Sequence, residues 1–282
     1  MSKPSLRRLV TTKERVFYAL LVTISVAAYA GLAAAIVLFP EFGATVMPTL
    51  IYIPALALAL LFARGMMMGH LRGNAIHVTP RQFPKLLAIA KQHAATIELK
   101  QLPEIFVMQS GGVLNAFATR FLGRNFVVIY SDVLAMAEAR GENAVGFIVA
   151  HELAHLKRGH LRHRWLTMPG RLVPYLSAAY SRACEYTCDR FAAHCQPDGA
   201  VDGLLVLAAG RELYRNVDAR EYARQVETQK SYWVNRAEMM ASHPHLPKRV
   251  AAILKRVPMP GKAPAVTAPA QAPAPREHAA VA

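Results

Sequence analysis

The residues of this chain with the clearest chemical potential lie in one short stretch, VGFIVAHELAHLKRGH at 145–160. On an α-helix, His151 and His155 are one turn apart, so both imidazoles project from one face, about 6 Å apart along the axis. Two imidazole nitrogens so placed can bind a single zinc ion at about 2.0–2.1 Å. Glu152 points off that line, where it can take a proton from a water molecule on the metal. The stretch therefore predicts a metal-dependent hydrolytic centre.

A histidine that follows the helix is one candidate for the third metal ligand. Metzincin sites have a glycine three residues after the second histidine and a further histidine three residues after that glycine. Arg158 occupies the glycine position here, and Gly159, His160 and His163 are out of register with the pattern. These residues are more typical of a basic, solvated helix end.

A carboxylate on a later helix is the other candidate. Glu185 opens the stretch EYTCD, about thirty residues after HELAH, and Asp189 follows one turn later. Glu185 can complete a site of two histidines and one glutamate that keeps a fourth position open for water. Asp189 can accept the outer N–H of a ligand imidazole. A Glu–Asp pair one turn apart is ordinarily a solvated helix face, but beside HELAH it is the favoured completion of the site.

Two apolar stretches near the N-terminus indicate that the domain with these residues is anchored in a membrane. Residues 16–39 and 44–63 contain no charge, and each is long enough to cross a hydrocarbon core of about 30 Å. The short link at 40–43 predicts a transmembrane helical hairpin. Lysines and arginines flank both outer ends and are absent from the tip, so the positive-inside rule places the catalytic domain in the cytoplasm. Signal-peptide cleavage at 28–30 is an alternative, but the apolar run continues well beyond that position.

The composition favours a membrane partner over nucleic acid. The chain has 282 residues, a formal net charge of +15 and 54% hydrophobic residues, with a mean hydropathy of +0.21. Most basic residues flank the spans or end helices, as expected for contact with anionic lipid headgroups. No nucleic-acid-binding motif accompanies them, so no nucleic-acid partner is expected. The three cysteines lie between 184 and 195 and do not form a secreted disulfide framework, which indicates a reduced compartment.

The expected organisation is a basic N-terminus at 1–15, the hairpin at 16–63, a catalytic domain at 64–257 and a disordered Pro/Ala-rich tail at 258–282. Short strands at 103–109 and 125–130, among helices that include 79–95, 142–157 and 174–194, predict an α+β, mostly α-helical domain. Residues 166–183 are apolar but contain two arginines and two prolines. The sequence of this segment is compatible with insertion into the membrane and also with a buried or interfacial helix.

Four motifs occur in a recognisable order: NAFA at 115–118, HELAH at 151–155, EYTCD at 185–189 and SHPHLPKR at 242–249. With the two spans, the chain resembles the M48 family of membrane zinc metallopeptidases, and most of all its HtpX branch, over about 16–257. The resemblance implies a zincin-type (gluzincin) domain. It also implies one zinc ion per chain on His151, His155 and Glu185, with Glu152 as general base and Asp189 supporting a ligand.

The same resemblance implies how a substrate is held. The strand at 103–109, which includes Val107, would be the edge on which an extended peptide pairs. Asn115, with Ala116 and Phe117, would hold the substrate backbone. His243 would donate to the oxyanion of the tetrahedral intermediate, and Arg249 would brace the site through an acidic partner. The implied substrates are membrane or misfolded polypeptides, in protein quality control at a bacterial cytoplasmic membrane.

One departure from the HtpX pattern concerns the number of spans. Proteins of that branch commonly have two more apolar segments after HExxH, whereas here the only candidate, 166–183, is weak and charged. A second class of function also has to be considered, namely a non-catalytic membrane scaffold or lipid-binding protein with a zinc-stabilised fold. Glu152 discriminates between the two classes, because a structural zinc site has no use for a carboxylate there and is usually closed by cysteines. The sequence thus favours the enzyme.

Overall fold

The computed structural model describes residues 6–109, 116–136, 142–162 and 164–257 as a mostly helical fold around a small sheet. This confirms the predicted α+β, mostly α-helical class. Asn115 and the tail at 258–282 lie outside the described residues. The strands are β1 (Ile76–His77), β2 (Glu104–Met108), β3 (Ala116–Phe121) and β4 (Arg124–Tyr130). The helices are α1 (Thr12–Leu38), α2 (Pro40–Leu50), α3 (Tyr52–Asn74), α4 (Pro84–Thr96), α5 (Ser131–Met136), α6 (Glu142–Arg158), α7 (Met168–Arg171), α8 (Leu176–Cys195), α9 (Ala200–Leu213), α10 (Ala219–Thr228), α11 (Tyr232–Met240) and α12 (Leu246–Leu254).

The four strands form one mixed sheet in the order β1-β2-β4-β3. Strand β2 pairs antiparallel with β1 and parallel with β4, so it lies inside the sheet. The prediction that 103–109 is the substrate-pairing edge was therefore wrong. Val107 is paired opposite Ile129 and is buried in the main core, which prevents it from contacting a substrate. On the side of the sheet next to β4, the outermost described strand is β3, which pairs antiparallel with β4.

Side chains of the central strands alternate between two cores, as the pleat of a strand requires. Ile105 and Val107 of β2 belong to the large core that the helices share. Phe106, between them, packs on the other face of the sheet with Met68 and Leu71 of α3. The sheet is thus covered on both faces, and the end of α3 provides part of the second cover.

Helix α6 is the central element of the large core. Its residues 144–154 are buried on every side, against α4, α8, α9 and the sheet. A helix that is apolar all round is expected to be buried, and this confirms the helix predicted at 142–157. The HELAH segment occupies the second half of α6, so packing fixes the direction in which its side chains point.

Helix α1 begins inside the folded domain and leaves it as an exposed apolar helix. Thr11 caps the helix by accepting the N–H of Glu14 at 3.2 Å, and its hydroxyl lies 3.0 Å from that of Thr187 in α8. Glu14, Leu21 and Ser25 are the buried residues of α1. The helix therefore starts four residues before the predicted span, because its first polar groups find partners on α8 instead of water.

The predicted link at 40–43 is itself helical. Helix α2 begins at Pro40, immediately after the end of α1, and α3 continues to Asn74 instead of ending at 63. A Cβ at Gly43 would lie 2.9 Å from the carbonyl oxygen of Ile36, so the absence of a side chain permits the close approach of α2 to α1. Helix α3 is longer than predicted because its last turns pack on the sheet.

Candidate metal centre

Three side chains from two helices converge near the end of α6. The Nε2 atoms of His151 and His155 are 3.2 Å apart. Glu185 of α8 places Oε2 at 3.4 Å from the first nitrogen and Oε1 at 3.4 Å from the second. Ligands bound at about 2.0–2.1 Å in a tetrahedron are about 3.3–3.4 Å from one another. The donor set and its spacing therefore fit a zinc ion with one position left open.

A buried ion pair lies directly behind these three residues. Arg249 of α12 donates from Nε to Asp189 Oδ2 at 2.8 Å and from Nη2 to Oδ1 at 2.6 Å. Its Nη1 lies 3.2 Å from Glu185 Oε2. Asp189 Oδ1 is also 3.0 Å from His151 Nδ1. The structure thus brings both predicted supporting residues, Asp189 and Arg249, against the converging set.

The electrostatics of the set suit a divalent cation. Burial by itself would lower the pKa of His151, but contacts with Asp189 and Glu185 raise it to about 10. Burial would raise the pKa of Glu185, but the imidazoles of His151, His155 and His243 hold that pKa well below its usual value. A bound cation would take the place of the proton that otherwise neutralises these carboxylates, so metal binding releases a proton.

Glu152 lies beside the converging atoms and is not one of them. It is buried and lines the same cleft as His151 and His155. Burial raises the pKa of the Glu152 carboxyl, although His155, His151 and a hydrogen bond from the Ala118 backbone act in the opposite direction. A carboxyl with a raised pKa is better matched to accepting and returning a proton near neutral pH.

The centre opens into a cleft of about 570 Å³. Ala116, Phe117 and Ala118 of the outer strand β3 line this cleft, as does His243 from the segment before α12. His243 places Nδ1 at 3.2 Å from Glu185 Oε2, and its side chain is 66% exposed. Of the predicted substrate-binding residues, Ala116 and Phe117 therefore reach the cleft, whereas Val107 does not.

His160 is a site residue that the sequence interpretation missed. Its ring is buried, with Nδ1 at 3.0 Å from His155 Nδ1 and Nε2 at 3.2 Å from Glu14 Oε1. Its assignment to a solvated helix end was wrong, because Glu14 of α1 and the Tyr180 ring of α8 lie against this imidazole. A signal was present: Glu14 is the only acidic residue among the first forty, and a lone acid beside an apolar span needs a buried partner.

Comparison with known families agrees with this geometry. Two overlapping stretches, residues 80–176 and 168–257, match the family model described as Peptidase family M48. Together they cover more than half of the chain and include all three converging residues. Neither the curated proteins nor the solved structures that were compared match the chain.

Proposed function

The chain belongs to peptidase family M48, and from this premise we propose that it is a membrane-anchored, zinc-dependent endopeptidase. The observation that carries the proposal is the triangle of donor atoms from His151, His155 and Glu185, with Glu152 beside it in an open cleft. A scaffold with a structural zinc site would need neither the open position nor that carboxylate. The zincin-type fold and the nearness to the HtpX branch are part of the same proposal.

The residues around the triangle have separate tasks. A zinc ion held by His151, His155 and Glu185 would polarise the scissile carbonyl and lower the pKa of a water molecule. The Glu152 carboxylate accepts a proton and passes it to the leaving amine. Asp189 Oδ1, 3.0 Å from His151 Nδ1, is placed to accept the Nδ1–H and so to keep Nε2 directed at the centre. His243 is placed to donate a hydrogen bond to the oxyanion that develops on the carbonyl.

Strand β3 supplies the surface on which a substrate can be held. Among the described residues it pairs only with β4, and its residues 116–118 line the cleft. An extended peptide added along this strand would present a backbone carbonyl to the centre. Because only an unfolded segment can adopt that extended form, misfolded membrane or membrane-proximal polypeptides are the proposed substrates.

Removal of the metal tests the core of this proposal. We expect the full chain in detergent to contain one zinc ion and to cleave casein. A chelator should abolish the cleavage, and added zinc should restore it. The Glu185→Ala variant should lose both the zinc and the cleavage, because two imidazoles alone hold the ion weakly. Casein cleavage that persists after complete removal of metal would contradict the proposal.

Anchoring in a membrane is supported by two exposed apolar helical stretches. Among the described residues, Thr12–Leu38 and Pro40–Asn74 are long and apolar enough to span a bilayer. None of the most apolar part of the second stretch is buried, and large side chains such as Val37 and Phe62 face outward. Such a continuous apolar surface requires a cover, and hydrocarbon provides one.

The segment at 165–175 extends this apolar surface next to α1. Gly170 donates its N–H to the Ser25 hydroxyl at 2.9 Å, and the Tyr29 hydroxyl donates to the Trp165 carbonyl at 2.8 Å. Trp165 and Leu172 are 62% and 75% exposed. Helix α7 within this segment has only four residues, Met168–Arg171, far fewer than the roughly 20 that a membrane span needs. We therefore propose that 165–175 packs along the membrane part of α1 and does not form a span of its own.

The orientation can be tested with sealed vesicles. We expect the chain to stay in the membrane fraction at alkaline pH, because both helical stretches are inserted. A protease added outside inverted vesicles should remove a C-terminal tag, whereas right-side-out vesicles should protect it, because positive flanks stay in the cytoplasm. A lumenal marker protein serves as the control for vesicle integrity. Protection of the tag in inverted vesicles would show that the orientation is the opposite one.

A further inference from the structure

We infer that Glu14, in the first turn of the N-terminal membrane helix, is a positioning residue that orients the metal ligand His155 through His160. The inference rests on the proposed function to the extent that His155 binds a metal. Glu14 lies outside the stretches that match the family model, which begin at residue 80. It is therefore a contribution of the membrane helix of this chain and not of the matched domain.

The hydrogen bonds along this path have only one consistent direction. His155 uses Nε2 for the metal, so its proton is on Nδ1 and is donated to His160 Nδ1, 3.0 Å away. His160 then carries its own proton on Nε2 and donates it to Glu14 Oε1 at 3.2 Å. A carboxylate only accepts, so it ends the path. Such outer partners fix the tautomer and ring orientation of a ligand histidine.

The two ligand histidines are thus supported from different parts of the chain. Asp189 of α8 supports His151 from inside the domain, whereas Glu14 supports His155 from α1. The position of Glu14 is itself fixed, because Thr11 in the turn before it donates to the Ala183 carbonyl and contacts the Thr187 hydroxyl. Those two residues lie on either side of Glu185 in α8. Docking of α1 therefore acts on the same turn that supplies the third ligand.

A second metal site at Glu14, His160 and Cys184 is the competing interpretation, because these side chains lie close enough to share a cation. Two observations favour the positioning role. Arg158 donates from Nε and Nη2 to Glu14 Oε1, at 3.1 and 2.9 Å, so the charge of the carboxylate is already paired with a fixed positive charge. Cys184 is buried among apolar side chains, where the thiol is favoured over the thiolate that a metal requires.

The test measures zinc affinity of the full chain in detergent, by competition with a chromophoric chelator. Glu14→Leu removes the acceptor, and His160→Phe keeps a ring but breaks the path. Each should weaken zinc binding about 10- to 100-fold and alter the visible absorption of the Co²⁺-substituted protein. Glu14→Gln retains an acceptor and should restore most of the affinity. Ser25→Ala, a buried change on the same helix away from the path, should leave the affinity within about twofold of wild type.

A double variant separates positioning from a general effect on folding. If Glu14 acts through His160, Glu14→Leu should weaken zinc binding no further in a chain that already carries His160→Phe. The inference is overturned by unchanged affinity in a well-folded Glu14→Leu chain, or by full additivity in the double variant. It is also overturned if the wild type binds two zinc ions and Glu14→Leu removes one. A wild-type chain that binds no zinc would instead overturn the proposed function.

Discussion

Replacement of Glu152 by Gln is expected to lower the rate of casein cleavage by about 10²–10⁴-fold, the usual contribution of a general base. Gln has nearly the same size but cannot accept the proton. The three converging donors do not include Glu152, so zinc content and thermal stability should stay close to wild type. The measurement combines initial cleavage rates with metal analysis of the same preparations.

The matched control for this prediction is Glu142→Gln in the same helix. Glu142 is an exposed residue that pairs with Lys85 at 3.2 Å, far from the cleft. This variant should cleave casein at the wild-type rate. Wild-type cleavage by the Glu152→Gln chain would exclude the assigned base. Loss of zinc from that chain would mean that the carboxylate binds the metal, and its role would then be that of a ligand.

Replacement of Arg249 by Met is expected to lower the free energy of unfolding of the zinc-free chain by about 3–5 kcal/mol, the cost of breaking a buried ion pair by removing one partner. Asp189 and Glu185 would both stay buried without the guanidinium that contacts them at 2.6 to 3.2 Å. Because a bound cation supplies positive charge to the same carboxylates, the loss should be smaller when zinc is present.

Urea denaturation with and without a chelator measures this difference, and Arg224→Met provides the control. Arg224 also pairs with a carboxylate, that of Glu221 at 3.2 Å, but its side chain is exposed. Exposed pairs contribute about 0–1 kcal/mol, so this variant should be nearly neutral. An Arg249→Met chain as stable as the Arg224→Met chain would show that the buried carboxylates do not depend on the arginine.

The convergence of the two histidines could be predicted from the sequence because it depends on local rules. The two histidines are one helical turn apart, and a turn of a helix is the same in any fold. The apolar residues before them predicted burial of α6, which the structure confirms. The prediction of Glu185 as the third ligand needed more information, since no local pattern links α8 to α6. It depended on the carboxylate motif EYTCD and on the family resemblance.

Other features depend on long-range pairing that no local pattern contains. The run IFVM at 105–108 is apolar, as in any buried strand, and does not say which strands lie beside it. Only the observed order shows that β3 lies at an edge among the described strands, whereas β2 lies between two others. Helix α4 gives a local example. The helix was predicted from 79 but begins at Pro84, because a proline disfavours the right-handed helical conformation at the residue before it, and Phe83 instead adopts a left-handed one. The contact of Glu14 with His160 spans 146 positions, which explains why His160 was misassigned.

The attachment of α3 to the sheet has a mechanical consequence. Met68 and Leu71 fix the end of α3 to one face of the sheet, and Arg72 pairs with Glu104 at 3.0 Å. Helix α1 packs against α8 on the helical part of the domain. Because two helices are attached to the domain at separate points, the domain cannot rotate freely about either helix. If both helices are anchored in a bilayer as proposed, the cleft would be held at a fixed height above the lipid, and the enzyme would select polypeptides by how far their unfolded segments project from the bilayer.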